Sequence, residues 1–176
     1  MALILGGAKS GKSRLALQMA EKQEPPRLFV ATAAAGDAEM AARIARHRRN
    51  RGEAWDTWEA PLELAAAIAR AQNKYGVILV DCLTLWLSNL LLREPSEAEL
   101  EESCQRLLEA AGGTVTPLIL VSNEVGWGIV PDNPLARRFR DAAGSLHQRL
   151  AEAADLVCLT LAGLPLVLKA PQGKEA

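Results

Sequence analysis

The chain has 176 residues, 49% hydrophobic and 23% charged, a composition that argues against disordered and fibrous proteins. Its 20 basic and 21 acidic residues give a formal net charge of −1, which argues against a protein that mainly coats nucleic acid or an anionic membrane. The three cysteines, Cys82, Cys104 and Cys158, have neither disulfide-framework nor zinc-site spacing, and they favour a reducing compartment.

Short apolar runs alternate along the chain with longer segments of helical character. The apolar runs are uncharged and rich in Val, Ile or Leu, which is typical of strands buried on both faces of a sheet. They predict strands at Leu3–Leu5, Leu28–Ala31, Val77–Val80, Leu118–Val121 and Leu156–Leu161, with Leu164–Leu168 as an edge or hairpin strand. Helices are predicted over residues 12–22, 37–50, 61–73, 97–111 and 133–153, with Pro95-Ser96 marking the start of the fourth.

This alternation predicts an α/β fold: a mostly parallel sheet with helices on both faces and an antiparallel edge hairpin near the C-terminus. Residues 1–169 are expected to form a single domain, and residues 170–176 a frayed tail. The longest uncharged apolar run, Leu156 to Leu168, is shorter than the roughly 20 residues that a membrane helix needs. The sequence therefore predicts a soluble cytoplasmic protein with no membrane span.

The first predicted strand leads into a glycine-rich phosphate-binding motif. Residues 6–13, Gly-Gly-Ala-Lys-Ser-Gly-Lys-Ser, match GxxxxGK[ST] in full, and they lie between a strand and a helix as a P-loop requires. Glycines let main-chain N–H groups surround phosphate oxygens, Lys12 is expected to reach the β- and γ-phosphates, and the Ser13 hydroxyl is expected to bind Mg²⁺. The motif predicts a P-loop NTPase-like fold; the alternative is a strand–helix turn without a ligand. The predicted nucleotide contacts are Gly6, Gly7, Ala8, Lys9, Ser10, Gly11, Lys12 and Ser13.

An acidic residue ends another buried strand. Asp81 directly follows Val77–Val80, and a P-loop needs such a carboxylate, on a neighbouring strand, to hold the shell of its magnesium ion. The alternative role for Asp81 is a turn or helix cap leading toward Thr84.

A histidine lies within an arginine-rich segment. Residues 43–51 include five arginines in nine positions, and on a helix Arg43, His47 and Arg51 share one face. Nearby cations disfavour the protonated imidazole and keep a ring nitrogen of His47 free as a nucleophile, while the arginines hold a triphosphate. The alternatives are a basic solvated helix, a nucleic-acid patch or a core histidine.

Two further titratable residues lie later in the chain. Glu124 follows a predicted strand at the carboxyl edge, where open α/β sheets bind ligands. It is interpreted as a general base, a magnesium-shell ligand, or a residue that fixes a loop or caps a helix. His147, in the last long helix, is expected to be a surface or packing residue.

Several segments together resemble one enzyme family. They are the P-loop, residues 39–44 (Glu-Met-Ala-Ala-Arg-Ile) with His47, residues 123–131 (Asn-Glu-Val-Gly-Trp-Gly-Ile-Val-Pro), residues 135–141 (Leu-Ala-Arg-Arg-Phe-Arg-Asp) and residues 148–151 (Gln-Arg-Leu-Ala). This set resembles the bifunctional adenosylcobinamide kinase / adenosylcobinamide-phosphate guanylyltransferase family of cobalamin nucleotide-loop assembly. The resemblance extends from residue 2 to about residue 169, and its 123–131 block is far more specific than a P-loop alone.

The resemblance implies two reactions. A nucleoside triphosphate, ATP or GTP, phosphorylates the aminopropanol hydroxyl of adenosylcobinamide. A histidine then attacks the α-phosphorus of GTP, releases pyrophosphate and passes GMP to the new phosphate, which gives adenosylcobinamide-GDP. His47 matches that histidine, and the resemblance also implies a homotrimer. Besides the P-loop, it places GTP contacts on Ala31, Thr32, Ala33, Arg48, Arg49, Asn50, Arg51, Glu59 and Asp81.

The chain departs from the family pattern around the nucleophile. Family members often carry two adjacent histidines, or His followed by Lys, where this chain has Arg46-His47-Arg48. If the nucleophile belongs to the first position of such a pair, Arg46 cannot serve, and His47 is the histidine available. The residue at Trp127 also varies in kind, and its indole is interpreted as stacking on a nucleobase, packing on the corrin, or packing in a core or interface.

Two alternative functions stay open at this point. One is a monofunctional P-loop small-molecule kinase in which His47 is structural. The other is a nucleotide-binding switch or nucleic-acid module that uses the arginine-rich helix, which the balanced net charge disfavours.

Overall fold

The computed structural model describes residues 1–33 and 54–171. The helix predicted over residues 37–50, and residues 172–176 of the predicted tail, lie outside the described residues.

Within those ranges, seven strands form one sheet. They are β1 (Ala2–Gly6), β2 (Arg27–Ala31), β3 (Trp55–Glu59), β4 (Val77–Asp81), β5 (Leu118–Asn123), β6 (Leu156–Leu161) and β7 (Leu164–Lys169). Their order is β3-β2-β4-β5-β1-β6-β7, and every neighbouring pair is parallel except β6 and β7, which are antiparallel. The prediction of a mostly parallel sheet with an antiparallel edge hairpin near the C-terminus is confirmed.

Five helices connect these strands in the described part of the chain. They are α1 (Lys12–Ala20), α2 (Leu64–Ala71), α3 (Leu83–Leu91), α4 (Glu97–Gly113) and α5 (Pro134–Ala153). None of these helices is both long enough and apolar enough to cross a membrane.

The described helices cover the two faces of the sheet unequally. Successive strand side chains point to opposite faces, so each strand contributes to two cores. One core joins residues such as Leu3 and Ile78 to α2, α3, α4 and α5, and the other joins Ile4 and Leu79 to Ala16 and other residues of α1. Helices therefore pack on both faces, as the strand–helix alternation predicts.

Helix α4 begins where the sequence predicts. Ser96 is its N-cap: the Ser96 hydroxyl accepts a hydrogen bond from the Glu99 main-chain N–H at 3.3 Å, and the Glu99 carboxylate accepts one from the Ser96 N–H at 2.8 Å. This reciprocal capping box satisfies two N–H groups that the first helical turn otherwise leaves unpaired.

Two elements were not predicted from the sequence. Helix α3 is apolar on several sides, and Leu83, Trp86 and Leu87 are all buried, so its sequence lacks the polar face that marks an amphipathic helix. Strand β3 lies at the edge of the sheet and carries Asp56 and Glu59, so it is not the uncharged run expected of a central strand.

Candidate active site

The loop between β1 and α1 has the backbone of a phosphate cradle. Gly6 ends β1, and α1 begins at Lys12 after Gly11, whose φ of 101° lies in the left-handed region that favours glycine. The main-chain N–H of Ser10 donates to the Gly7 carbonyl at 3.2 Å, which curls the loop back on itself. The N-terminal N–H groups of α1 therefore lie next to the loop, where they favour an anion.

The Lys12 side chain folds over this loop. Its ammonium donates to the Gly7 carbonyl oxygen at 3.0 Å, and the residue is buried. An open pocket of about 480 Å³ lies along the loop, a volume suited to a small-molecule ligand. The pocket is lined by Lys9, Ser10, Gly11, Lys12, Ser13, Arg14, Ala162 and Gly163.

The far side of the phosphate loop rests on the β6–β7 hairpin. The Ser10 and Thr160 hydroxyl oxygens are 2.9 Å apart, and the Thr160 hydroxyl donates to the Leu5 carbonyl at 3.0 Å. The Gly163 N–H donates to the Ser10 carbonyl at 2.8 Å. A Cβ on Gly6 would lie 2.4 Å from the Thr160 hydroxyl oxygen, so only glycine fits there. Sequence reasoning missed Thr160 and Gly163 because nothing local to them points to the loop.

Three residues with predicted GTP contacts lie side by side at the carboxyl edge of the sheet. Ala31 at the end of β2 is in register with Glu59 of β3 on one side and with Asp81 of β4 on the other. Gly6 of β1 and Asn123 of β5 are in register with each other at the same edge. The structure therefore brings the predicted contacts of β2, β3 and β4 to the edge that carries the phosphate loop.

The side chain of Thr32 is already engaged within the protein. Thr32 is fully buried; its hydroxyl donates to the Cys82 carbonyl at 2.7 Å and accepts from the Cys82 N–H at 2.8 Å. The Asp81–Cys82 peptide bond next to it is cis. Thr32 thus ties the ends of β2 and β4 together, and its main-chain carbonyl in turn accepts from the Asn89 side-chain amide at 2.8 Å.

Asp81 lies one strand further from the phosphate loop than its sequence predicts. Strand β5 lies between β4 and β1, so two strand spacings of about 4.8 Å each separate Asp81 from the loop strand. The intervening strand ends at Asn123, whose amide donates to the Thr84 hydroxyl at 2.8 Å. Asp81 and Gly6 therefore lie at the same edge of the sheet, with the end of β5 between them.

The protein oxygen atoms near the loop fit a magnesium ion that is held partly by the phosphates of a bound nucleotide. Mg²⁺ prefers hard oxygen ligands and is usually bound by one or two protein groups together with phosphates and water. Ser13 offers a hydroxyl and Asp81 a carboxylate. Residues 1–33 and 54–171 contain no cluster of three His, Cys, Asp or Glu side chains able to hold a metal. A bound nucleotide would therefore supply much of the ion's coordination.

Glu124 and His147 form a polar group beside the phosphate loop. The Glu124 N–H donates to the Gly6 carbonyl at 3.1 Å, and one of its carboxylate oxygens accepts the Gly126 N–H at 2.6 Å. The other carboxylate oxygen lies 3.9 Å from His147 Nδ1, while His147 Nε2 lies 2.7 Å from the Ser122 hydroxyl. Glu124 thus makes the loop-fixing contact considered from the sequence.

His147 is a buried packing residue, 7% exposed, on the helix face turned toward the sheet. Burial lowers the pKa of His147 below its ordinary value of 6.5, and the nearby Glu124 carboxylate acts in the opposite direction. The imidazole is therefore neutral near pH 7.

Trp127 does not pack in the core, because its side chain is 73% exposed. It lies on the segment between β5 and α5, which begins at the carboxyl edge of the sheet.

The remaining predicted site residues, His47, Arg48, Arg49, Asn50 and Arg51, lie outside the described residues. Ala33, the last described residue before them, follows β2 at the carboxyl edge.

With this geometry established, comparison with known proteins identifies the family. The family model described as cobinamide kinase / cobinamide phosphate guanyltransferase matches residues 2–168. A protein of Pseudomonas aeruginosa called bifunctional adenosylcobalamin biosynthesis protein CobP is 50% identical over 167 residues, covering 95% of this chain and 96% of the relative. The chain belongs to the cobinamide kinase / cobinamide phosphate guanyltransferase family.

A second relative and two solved structures complete the comparison. Bifunctional adenosylcobalamin biosynthesis protein CobU of Salmonella typhimurium is 39% identical over 181 residues, covering 96% of this chain and 99% of the relative. The RadB recombinase has a TM-score of 0.55 at 18% identity, covering 99% of this chain and 82% of that one. An ATPase of a bacterial type III secretion system has a TM-score of 0.54 at 14% identity, covering 90% of this chain and 50% of that one. At such identities the structures show the fold alone, and they confirm the P-loop NTPase-like architecture of this family member.

Proposed function

We propose that this chain phosphorylates the aminopropanol hydroxyl of adenosylcobinamide with ATP or GTP and then transfers GMP from GTP to that phosphate through His47. The observation that carries the proposal is the phosphate loop, curled around Lys12 at the carboxyl edge of the sheet, in a chain matched almost end to end by a family named for both reactions.

In the first reaction, the hydroxyl oxygen of the acceptor attacks the γ-phosphorus. The bond from that phosphorus to the β,γ-bridging oxygen breaks, the nucleoside diphosphate leaves, and the hydroxyl proton passes to a base or to water. Such a transfer depends mainly on positioning and on stabilising negative charge. Lys12 and the N–H groups of Gly6 to Ser13 supply both, because they fix the phosphate oxygens and offset their charge.

In the second reaction, a ring nitrogen of His47 attacks the α-phosphorus of GTP and pyrophosphate leaves. A phosphate oxygen of the phosphorylated acceptor then attacks the same phosphorus, the phosphorus–nitrogen bond breaks, and His47 is restored. Two displacements suit this transfer because a phosphate monoester is a poor nucleophile toward another anionic phosphate. Arg48, Arg49 and Arg51 offset the charge of the leaving pyrophosphate, and Asn50 adds a polar contact.

The GTP contacts proposed outside the phosphate loop, besides those on residues 48–51, are Ala31, Thr32, Ala33, Glu59 and Asp81. Their support is the row formed by Ala31, Glu59 and Asp81 at the same sheet edge as the loop. Ser13 and Asp81 are proposed to hold Mg²⁺ together with the nucleotide. When bound, this ion offsets negative charge on the phosphates during transfer.

We also propose that the protein works in the cytoplasm as a homotrimer. Three unpaired cysteines, all buried, fit a reducing compartment. Strand β7 lies at the edge of the sheet and exposes Leu164, Leu166, Val167 and Leu168, which is the kind of edge that pairs with a second copy of the chain.

The test is incubation with GTP labelled at the α-phosphate, followed by a denaturing gel and an acid treatment, on the wild type and on His47→Ala. A label that is acid-labile and alkali-stable, and that disappears in His47→Ala, is expected, because a phosphoramidate to histidine has this stability. His147→Gln is the matched control, since it removes the other histidine of the chain and should keep the label.

No label on the wild type, together with no release of pyrophosphate, would contradict the guanylyltransferase. Transfer of γ-phosphate to cobinamide under the same conditions would then identify a monofunctional kinase with a structural His47.

A further inference from the structure

An exposed apolar segment lies between β5 and α5. Within it, Trp127, Ile129 and Val130 are 73%, 97% and 57% exposed. Three apolar side chains exposed to water within the four positions 127–130 are unusual unless they contact a ligand or a partner. We call residues 124–133 the β5–α5 loop.

The β5–α5 loop is held in one shape at both ends. At its start, the Glu124 carboxylate accepts the Gly126 N–H at 2.6 Å. At its end, the Arg137 guanidinium donates to the Pro131 and Asp132 carbonyls at 2.9 and 2.6 Å, and the Asn133 side chain caps α5. The three apolar side chains are therefore presented by a braced loop, which lowers the entropic cost of binding.

The position of this loop ties it to the phosphate-transfer site. Asn123 is in register with Gly6, and the Glu124 N–H donates to the Gly6 carbonyl at 3.1 Å. Three residues of chain span at most about 11 Å, so the Trp127 Cα lies within that distance of the Glu124 Cα. The exposed apolar surface therefore begins within about 11 Å of the residue that hydrogen-bonds to the first residue of the phosphate loop.

The acceptor of the proposed kinase reaction has chemistry that fits such a surface. Its reacting hydroxyl must reach the γ-phosphate held by the loop, while its much larger corrin macrocycle has to lie next to the loop. A macrocycle presents a broad face of carbon atoms, and flat aromatic and branched aliphatic side chains bury such a face well. The triphosphate, by contrast, needs cations and N–H donors.

We propose that Trp127, Ile129 and Val130 form the docking surface for the apolar face of the corrin macrocycle. The inference rests on the proposed function, because it names the acceptor subsite of that activity. Trp127 supplies the flat contact, and Ile129 and Val130 extend it along the loop.

The experiment measures transfer of γ-phosphate to cobinamide, together with calorimetric binding of cobinamide, for the wild type, Trp127→Ala, Ile129→Ala, Val130→Ala and Trp127→Phe. For each alanine variant the KM and Kd for cobinamide are expected to rise about tenfold, as for truncation of a central aromatic or aliphatic contact. The KM for the nucleotide and the α-phosphate label from GTP alone should not change. Trp127→Phe should recover most of the affinity, since it keeps a flat apolar ring.

Val115→Ala is the matched control for Val130→Ala. Val115 is 78% exposed and lies just before β5, at the opposite edge of the sheet, so its loss should leave the KM for cobinamide unchanged. Circular dichroism of all variants checks that each one is folded.

Each of the following results would overturn the inference. Unchanged cobinamide affinity in the alanine variants excludes the docking surface. A selective rise in the KM for the nucleotide assigns Trp127 to a nucleobase, and a change in sedimentation mass assigns the loop to contacts between copies. A wild type that phosphorylates cobinamide and labels with GMP, with alanine variants of unchanged cobinamide affinity, overturns the inference alone. A wild type with neither activity overturns the proposed function and this inference with it.

Discussion

Thr160 lies far along the chain from the phosphate loop, yet its hydroxyl bridges that loop and the end of β1. It contacts the Ser10 hydroxyl at 2.9 Å and donates to the Leu5 carbonyl at 3.0 Å. Removing it leaves buried polar groups unpaired next to the cradle, so we expect Thr160 to position the loop without touching the substrate.

Replacement of Thr160 by valine keeps the shape of the side chain and removes the hydroxyl. We expect the free energy of unfolding to fall by about 1–3 kcal/mol, the cost of an unsatisfied buried polar group. We also expect a several-fold rise in the KM for the triphosphate, measured by steady-state kinetics, and recovery in Thr160→Ser.

Thr116→Val separates these two effects. Thr116 is another buried threonine, and its hydroxyl accepts the Asn73 N–H at 3.0 Å, away from the phosphate loop. It should lose comparable stability and keep the wild-type KM. Equal KM values in Thr160→Val and the wild type would show that Thr160 has no positioning role.

His147 should make the stability of the protein depend on pH. Because burial lowers its pKa in the folded state below 6.5, the unfolded chain binds more protons than the folded one in the window just below pH 6.5. The free energy of unfolding should therefore rise as pH increases through that window and level off above it.

Urea unfolding from about pH 5.5 to about pH 7.5 measures this dependence against a His147→Gln variant. The difference in unfolding free energy between the two proteins should grow with pH up to about 6.5 and stay constant beyond. The groups that face His147 are Ser122 and Glu124, and both remain in the variant. Parallel pH profiles for the two proteins would contradict the lowered pKa.

At the scale of elements, the start of α5 supports both a helix and the β5–α5 loop. The Asn133 side-chain oxygen accepts the N–H groups of Leu135 and Ala136 at 2.8 and 3.2 Å. Asn133→Ala should lower the free energy of unfolding by about 1 kcal/mol, as for other N-caps, when measured by urea titration. Asn133→Ser keeps a capping oxygen and should restore most of the loss; equal stability of the alanine and serine variants would contradict the role.

Signals that are local in the chain predicted most of the elements and the phosphate loop itself. The loop follows from eight consecutive residues, and β7 from an apolar run after a turn at Gly163 and Pro165. Helix α3 was not predicted because it is buried on several sides and so lacks the polar face that gives a helix its hydrophobic periodicity.

Contacts between distant parts of the chain were beyond sequence patterns. Ser10 and Thr160 are 150 positions apart, and no spacing rule joins them. Composition also does not tell whether an apolar side chain is buried, so the exposure of Trp127 became visible only in the folded protein.

At the scale of the whole molecule, β7 should carry the contact between copies. Val167 is 53% exposed on this edge strand, and a charge there would oppose burial in an interface. Val167→Glu should therefore convert the proposed trimer into smaller species by sedimentation velocity, whereas Val115→Glu should keep the wild-type mass. A monomeric wild type would contradict the trimer, and an intact trimer in Val167→Glu would exclude β7 from its interface.

The place of β1 in the sheet also sets the order in which the phosphate loop gains its support during synthesis. This strand is made well before its ladder partners within the described ranges, β5 and β6, which begin at Leu118 and Leu156. Thr160 and Gly163, which brace the phosphate loop, are made later still. A nascent chain therefore carries an unpaired apolar strand until β5 and β6 have been made, and its phosphate cradle is braced only after Gly163 has been added.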